Sequence, residues 1–275
     1  MKLSAESMAE LVNRFLLSAD DVTWNRFSSI QWSDLQPDLL TENQRSAVAF
    51  ITFIEDHLPG YFAEYSKAFS IDENTSLEDC VHNRELYHFL VRWAQEEDRH
   101  AHVLSTYRVK AGLAQTEQLR IDLAREGRKR FLIDYLEPPQ IFTYALLQEK
   151  ATQIYYLQLR DAINEPVLKS VLLRLAKDEA RHFAFFASVV GAYLEQFGEE
   201  MVPHIKLTLE NFKMPLYNTL SNYWRWALVV RDAAGGYDHT DAYRELLRVI
   251  DKFADASTHS KSTEIADFVR GISAI

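Results

Sequence analysis

Apolar residues return every three or four positions along most of the chain, over stretches that Gly and Pro rarely interrupt. That spacing gathers them on one face of an α-helix. It predicts a short helix near 3–18, an irregular segment over 24–37 and a long helix over about 42–69. Ser76 is placed to cap a further long helix over about 77–111. Another follows at about 115–135. Pro138 and Pro139 then punctuate the chain; proline suits a helix's first turn, where its missing N–H would have had no partner. The helix they open runs to about 163. Asn164-Glu165-Pro166 starts the next, which ends near Gly198. Shorter helices follow at about 200–212, 214–231 and 240–256, with Gly235-Gly236 as the turn between the last two, and a final one at about 262–272. No strand-like alternation with hairpin turns, linker or low-complexity segment interrupts the pattern. A single all-α domain over 1–275 is the simplest reading.

Four of the long helices break the apolar pattern in the same way: each places a glutamate inside its apolar stripe. Ile51, Glu55, Leu58 and Phe62 share one face; Trp93, Glu97, His100 and Leu104 share another. Leu146, Glu149, Thr152 and Tyr156 form a third, and Leu175, Glu179, His182 and Phe186 a fourth. Burying a lone carboxylate costs several kcal/mol or forces it to take up a proton, and several at one depth repel one another. Cations among them resolve both problems. Glu97-Asp98-Arg99-His100 and Glu179-Ala180-Arg181-His182 are both Glu-x-x-His, which lets a carboxylate and an imidazole reach one metal from consecutive turns. Two helices giving one Glu each, and two giving Glu-x-x-His, make the ligand set of di-iron carboxylate bundles. Mixed oxygen and imidazole donors suit iron or manganese, whereas zinc would favour cysteine or more histidine. Glu96, Asp178, His57 and His102 are expected outside the ligand set, exposed or in supporting roles.

Composition narrows the setting. The formal net charge of −10 makes nucleic acid a poor partner. No apolar run approaches the ~20 residues of a membrane span, and the N-terminal segment lacks the apolar centre of a signal peptide. One cysteine, Cys80, leaves no disulfide within the chain and fits a reducing cytoplasm.

The residues around the acids resemble the soluble acyl-[acyl carrier protein] desaturases, whose core is a ferritin-like four-helix bundle with additional C-terminal helices. Glu55-Asp56-His57-Leu58-Pro59-Gly60-Tyr61 resembles that family's Glu-Glu-x-Leu-Pro-x-Tyr. Trp93-Ala94-Gln95-Glu96-Glu97-Asp98-Arg99-His100 is similar to its Trp-Thr-Ala-Glu-Glu-Asn-Arg-His. Gln148-Glu149-Lys150-Ala151-Thr152 and Asp178-Glu179-Ala180-Arg181-His182 match its Gln-Glu-Arg-Ala-Thr and Asp-Glu-Lys-Arg-His, and Met214-Pro215 falls where the family has a Met-Pro after the bundle. The likeness runs over about 30–255.

That resemblance implies two iron ions, cycling between Fe2+ and Fe3+, with O2 as co-substrate. It implies a double bond introduced into a fatty acyl chain held on acyl carrier protein, a ferredoxin-type electron donor and a homodimer. The implied iron ligands are Glu55, Glu97, His100, Glu149, Glu179 and His182. Thr152 matches an active-site threonine, Trp93 and Asp178 match residues that orient ligands and relay electrons, and Trp32 resembles an N-terminal tryptophan on that relay. Three positions depart from the family: Tyr156 stands at a usual histidine, Lys150 at an arginine and Asp98 at an asparagine. Another di-iron oxygenase, a hydroxylase or amine oxygenase on a carrier-bound or free metabolite, shares the same ligands, as does a ferritin-type iron-binding protein. Phe53, Tyr144, Leu146, Ile154 and Phe183 are candidates for an acyl tunnel or for plain core. Arg125, Arg128, Lys129 and Arg130 are the candidate docking cluster for an acidic carrier.

Overall fold

Each long helix starts at a residue that satisfies its free N–H groups. In the computed structural model, which describes residues 1–135, 137–237 and 241–254, Ser4 accepts from the Ser7 N–H to open α1 (Ala5–Asp21). Thr41 and Gln44 exchange side-chain to backbone bonds at the head of α2 (Glu42–Asp56), a capping box. The helix expected over 42–69 is two helices, with α3 (Leu58–Ala68) following a break at His57. Pro59 has no N–H to give the Glu55 carbonyl, so the run cannot continue through it. The break falls directly after the in-stripe acid.

Ser76 caps α4 (Leu77–Lys110) through the Asp79 N–H. The segment expected helical over 115–135 is helical only in α5 (Thr116–Gly127); beyond it, Phe131 and Tyr135 are buried on irregular backbone. Pro138 opens α6 (Pro138–Ala162). Glu165 then opens α7 (Pro166–Phe197) with a fully buried carboxylate that accepts from Val167 N–H, Leu168 N–H, Gln36 N–H and the Tyr107 hydroxyl. A 3₁₀ turn over Gly198–Met201 leads into α8 (Val202–Glu210). The helix expected from 214 begins only at α9 (Tyr223–Ala233). Pro215 disfavours helical backbone at Met214, and Leu216 and Asn222 take left-handed φ of 62° and 59°. The last described helix is α10 (Asp241–Ala254); the expected helix at 262–272 lies outside the described residues.

The described residues contain no strand. Helices α6 and α7, joined by the short link 163–165, pack along each other; α2 packs on α4, and α4 on α7. Gln44 Nε2 donates to the Ala162 carbonyl and ties α2 to α6. These four helices enclose the acids. Helix α1 lies across α4 and α7, α9 covers α2, α8 covers α6, and α10 covers α6 and α7. A cluster of Phe15, Phe89, Phe185 and Phe186, with Phe89 and Phe185 stacked at 3.7 Å, packs beside His182 and supplies the apolar burial that four acids cannot.

Candidate metal centre

Glu55 comes from the last turn of α2, Glu97 and His100 from α4, Glu149 from α6, and Glu179 and His182 from α7. None is more than 8% exposed, and both histidines are fully buried. The donor atoms of Glu55, Glu97, His100 and Glu179 lie within 4.8 Å of one another, and so do those of Glu97, Glu149, Glu179 and His182. Glu97 and Glu179 belong to both groups, and each divides its oxygens between them. Glu97 sets Oε2 3.8 Å from His100 Nδ1 and Oε1 3.1 Å from His182 Nδ1. Glu179 sets Oε1 3.5 Å from His100 Nδ1 and Oε2 3.4 Å from His182 Nδ1. Glu55 Oε2 adds 3.6 Å to His100, and Glu149 Oε2 adds 3.4 Å to His182. The result is two adjacent donor sets, each with one imidazole, one carboxylate of its own and two shared carboxylates.

By themselves these groups are in conflict. Burial, then the Glu55 charge, pushes the Glu97 carboxyl up to about 8. Burial, then Glu97 and Glu149, pushes Glu179 well above the carboxylate range. Burial also opposes the charge on Glu149, yet hydrogen bonding to His182 and the His182 charge hold it below its ordinary value. Burial disfavours charge on His100 and His182 too, but the surrounding acids raise both well above the ordinary imidazole value. Even so, His100 Nδ1 and Glu97 Oε1 are buried without a hydrogen-bond partner. Two dications fit this donor set: their charge balances four carboxylates, and they take the inward-facing nitrogens and oxygens as ligands.

The outward nitrogens are held by acids from the opposite helix. His100 Nε2 lies 3.1 Å from Asp178 Oδ2 on α7, and His182 Nε2 lies 2.9 Å from Glu96 Oε2 on α4. With Nε2–H donating outward, Nδ1 is left free to face a metal. Both acids share two arginines. Arg99 donates to Asp178 at 2.9 Å and lies 3.5 Å from Glu96; Arg181 reaches Glu96 at 2.9 Å and Asp178 at 2.5 Å. Burial works against charge on Glu96, yet His182 and Arg181 bring it down to about 2, and His100 with both arginines holds Asp178 lower still. Glu96-Glu97-Asp98-Arg99-His100 and Asp178-Glu179-Ala180-Arg181-His182 thus play the same parts, each segment's outer acid holding the other's histidine.

The remaining sequence candidates separate. Asp178 contacts His100 as described. Trp93 is buried edge-on against Tyr65 with ring centroids 5.5 Å apart, and its indole N–H has no partner, so it does not join Asp178. Trp32 sits in a 3₁₀ turn with the Lys110 amine 5.5 Å over its ring. The indole that meets Asp178 belongs to Trp24, whose Nε1 donates to Asp178 Oδ2 at 2.7 Å while Arg99 lies 4.7 Å over its ring. Trp24 stands in the irregular stretch after α1, where no periodicity marks a buried residue. His57 is buried, tilted against the Tyr61 ring, and outside the ligand groups; His102 packs against exposed Phe27.

Thr152, one turn after Glu149, lines a cavity of about 440 Å³ whose near wall is Phe50, Ile51, Ile54, Tyr155 and Tyr156. The far wall comes from 212–237, and only Lys213 and Arg231 bring charge to it. Phe53, Tyr144, Leu146, Ile154 and Phe183 do not border this space. The Tyr156 hydroxyl donates to Glu55 Oε1. In the basic cluster, Arg125 pairs with Asp122, Lys129 with Glu126 and Arg130 with Glu64, which leaves Arg128 as its exposed remainder. No described helix is long and apolar enough to cross a membrane.

Residues 29–267 match the fatty acid desaturase family. DesA1 of Mycobacterium tuberculosis, provisionally named an acyl-[acyl-carrier-protein] desaturase, is 25% identical over 239 residues, covering 78% of this chain and 66% of that protein. DesA2 of the same organism, named likewise, is 28% identical over 162 residues, 58% of this chain and 54% of its own. The chain therefore spans less than two thirds of the length of these curated relatives. The X-ray structure of DesA2 superposes with a TM-score of 0.65 at 18% identity, over 94% of this chain and 98% of that one, so the two share the ferritin-like helical fold. The chain belongs to the fatty acid desaturase family.

Proposed function

We propose that this member of the fatty acid desaturase family is an oxidoreductase that holds two iron ions and uses oxygen to place a double bond in a fatty acyl chain carried on acyl carrier protein. The observation that carries the reading is the pair of donor sets sharing Glu97 and Glu179, set beside an apolar cavity. Glu55 and His100 would hold one iron and Glu149 and His182 the other, with Glu97 and Glu179 between them. Bound iron would supply the reduction of oxygen and the removal of hydrogen from an unactivated chain.

The chain's own residues do the rest. Asp178 and Glu96 accept from the outward imidazole N–H groups and fix the tautomer that ligates. Phe50, Ile51 and Ile54 give the cavity an apolar wall that excludes water and lays an acyl chain past the ligands. Thr152 lines the same space, and its hydroxyl can carry a proton there. Trp24, Asp178 and His100 are joined by hydrogen bonds of 2.7 and 3.1 Å, a continuous connection for electrons from a ferredoxin-type donor. Lys213 and Arg231 suit the anionic end of a carrier-bound substrate. A homodimer and a cytoplasmic setting belong to the same reading.

The test is anaerobic reduction of iron-loaded protein, followed by oxygen and a panel of acyl-carrier thioesters, with products read by mass spectrometry. About two irons per chain and a product lighter by two hydrogens support a desaturase. A product heavier by one oxygen keeps the centre and replaces the reaction with an oxygenation. Failure of the parent to bind iron stoichiometrically overturns the dinuclear reading.

A further inference from the structure

The centre is built from two matching halves, so a contact that occurs in only one of them carries information. Glu55 and Glu149 are counterparts: each is the unshared carboxylate of its half. Seven residues after Glu149, two turns along the unbroken α6, stands Tyr156; seven after Glu55, beyond the break at His57, stands Phe62, which has no hydroxyl. Tyr156 is 1% exposed, and its hydroxyl reaches across the bundle to the acid of α2. Its hydroxyl donates to Glu55 Oε1, while Glu55 Oε2 faces His100 Nδ1 at 3.6 Å. Among the described residues no hydroxyl donates to Glu149. The ring of Tyr156 also borders the cavity, together with Ile51 and Ile54 from the turn that carries Glu55.

From these contacts we infer that Tyr156 is a positioning residue that makes the two metal sites inequivalent: its phenol occupies one oxygen of Glu55, so Glu55 offers the centre a single oxygen, and only the half that contains His100 is so restricted. The inference rests on the dinuclear reading above. A phenol that donates to a ligand oxygen draws electron density from it and fixes the carboxylate's rotation, and both effects fall on one metal. Removing the hydroxyl frees Oε1 without changing the number of protein ligands.

The experiment is Mössbauer spectroscopy of the full chain loaded with isotopically enriched iron, parent beside Tyr156→Phe, each with its iron counted. The parent should show two resolved quadrupole doublets of equal area. In Y156F one doublet should move and the other should stay, at an unchanged iron count. A Y156F spectrum identical to the parent's, with about two irons in each, overturns the inference and leaves the dinuclear reading intact. A parent that binds no iron overturns the dinuclear reading and this inference with it. Should Y156F fail to fold or load, 3,5-difluorotyrosine at position 156 keeps the hydroxyl and strengthens it as a donor. The same single doublet must then shift, and an unshifted spectrum overturns the inference equally.

Discussion

Glu97→Gln should stabilise the metal-free protein and destabilise the metal-loaded one. Glu97 is 8% exposed, and burial, with Glu55 next, raises its carboxyl from 4.5 to about 8. Near pH 7 the folded metal-free chain therefore keeps a proton that the unfolded chain has released. A raised carboxyl contributes its full stability below the unfolded value and loses it as pH climbs through the folded value. From 4.5 to 7 is ~2.5 pH units at ~1.4 kcal/mol each, a cost of about 3 kcal/mol. Glutamine keeps the shape and has no charge to bury, so the variant escapes that cost. Urea unfolding of chelator-treated protein, read at about pH 5 and about pH 7, checks it. The parent should lose more stability than the variant between the two, and the variant should be the more stable near neutrality. Added iron or manganese should reverse the ranking, because a neutral amide bridges two cations poorly and the metal stabilises only what binds it. A metal-free variant no more stable than the parent near pH 7 would refute the claim that burial among acids strains Glu97.

Four other changes are diagnostic. Arg99→Met removes a 5%-exposed cation from Asp178 and should cost ~3–5 kcal/mol in urea unfolding of the loaded protein; a loss under ~1 kcal/mol means that Arg181 alone satisfies both acids. Trp24→Phe deletes the donor to Asp178 and should cost ~1.5–3 kcal/mol while slowing reduction of the bound iron by a ferredoxin-type donor; an unchanged reduction rate in stopped flow removes Trp24 from the electron path. Gly60→Ala would bring a Cβ to 2.9 Å from His57 Cδ2, so thermal unfolding should register a net loss of ~1–3 kcal/mol despite alanine's better helix propensity; a raised Tm contradicts the packing described. Ile54→Trp fills the cavity beside Glu55 and should shift preference to shorter acyl chains, and an unaltered kcat/KM ranking across chain lengths rules out this cavity as the chain's seat.

What could be read from the sequence, and what could not, follows from how each feature is encoded. The bundle helices and the acids within them were legible because both depend on the helical repeat: a Glu inside an apolar stripe stands out against its own turn neighbours. Ser76, Thr41 and Glu165 mark starts through local bonds that span three residues or fewer. Pro59 and Pro215 carried equally local signals, and the helices expected through 42–69 and from 214 fail at these prolines. Glu96 was expected outside the ligand set, exposed or in a supporting role, and its full burial against His182 depends on α7, far off in sequence. Trp24 and Trp32 lie eight positions apart in one aperiodic segment, and nothing local distinguishes the one that meets Asp178. The cavity was illegible for a similar reason. Its far wall is the irregular chain of 212–222 together with α9, and it faces α2 and α6 only after the fold closes.

The two-fold pattern and its exceptions together locate where the chemistry is biased. Glu96 on α4 holds the histidine of α7, and Asp178 on α7 holds the histidine of α4. The register between these helices is therefore set by the same bonds that aim the ligands, and a slip of one turn, ~5.4 Å, would break both at once. This crosswise bracing is symmetric and favours neither metal position. The asymmetry enters from outside the pair. Trp24 donates to Asp178 and, among the described residues, has no counterpart at Glu96, where Arg92 lies instead. Tyr156 donates to Glu55 and, among the described residues, has no counterpart at Glu149. Both exceptions converge on the half that contains His100, since Asp178 bonds its Nε2 and Glu55 faces its Nδ1. The cavity reaches that half through Ile51 and Ile54 and the other through Thr152, so it does not itself choose between them. In the proposed desaturase, the path for electrons and the carboxylate held by Tyr156 thus meet at one of two otherwise equivalent positions, and the protein singles it out with two hydrogen bonds added to a symmetric frame.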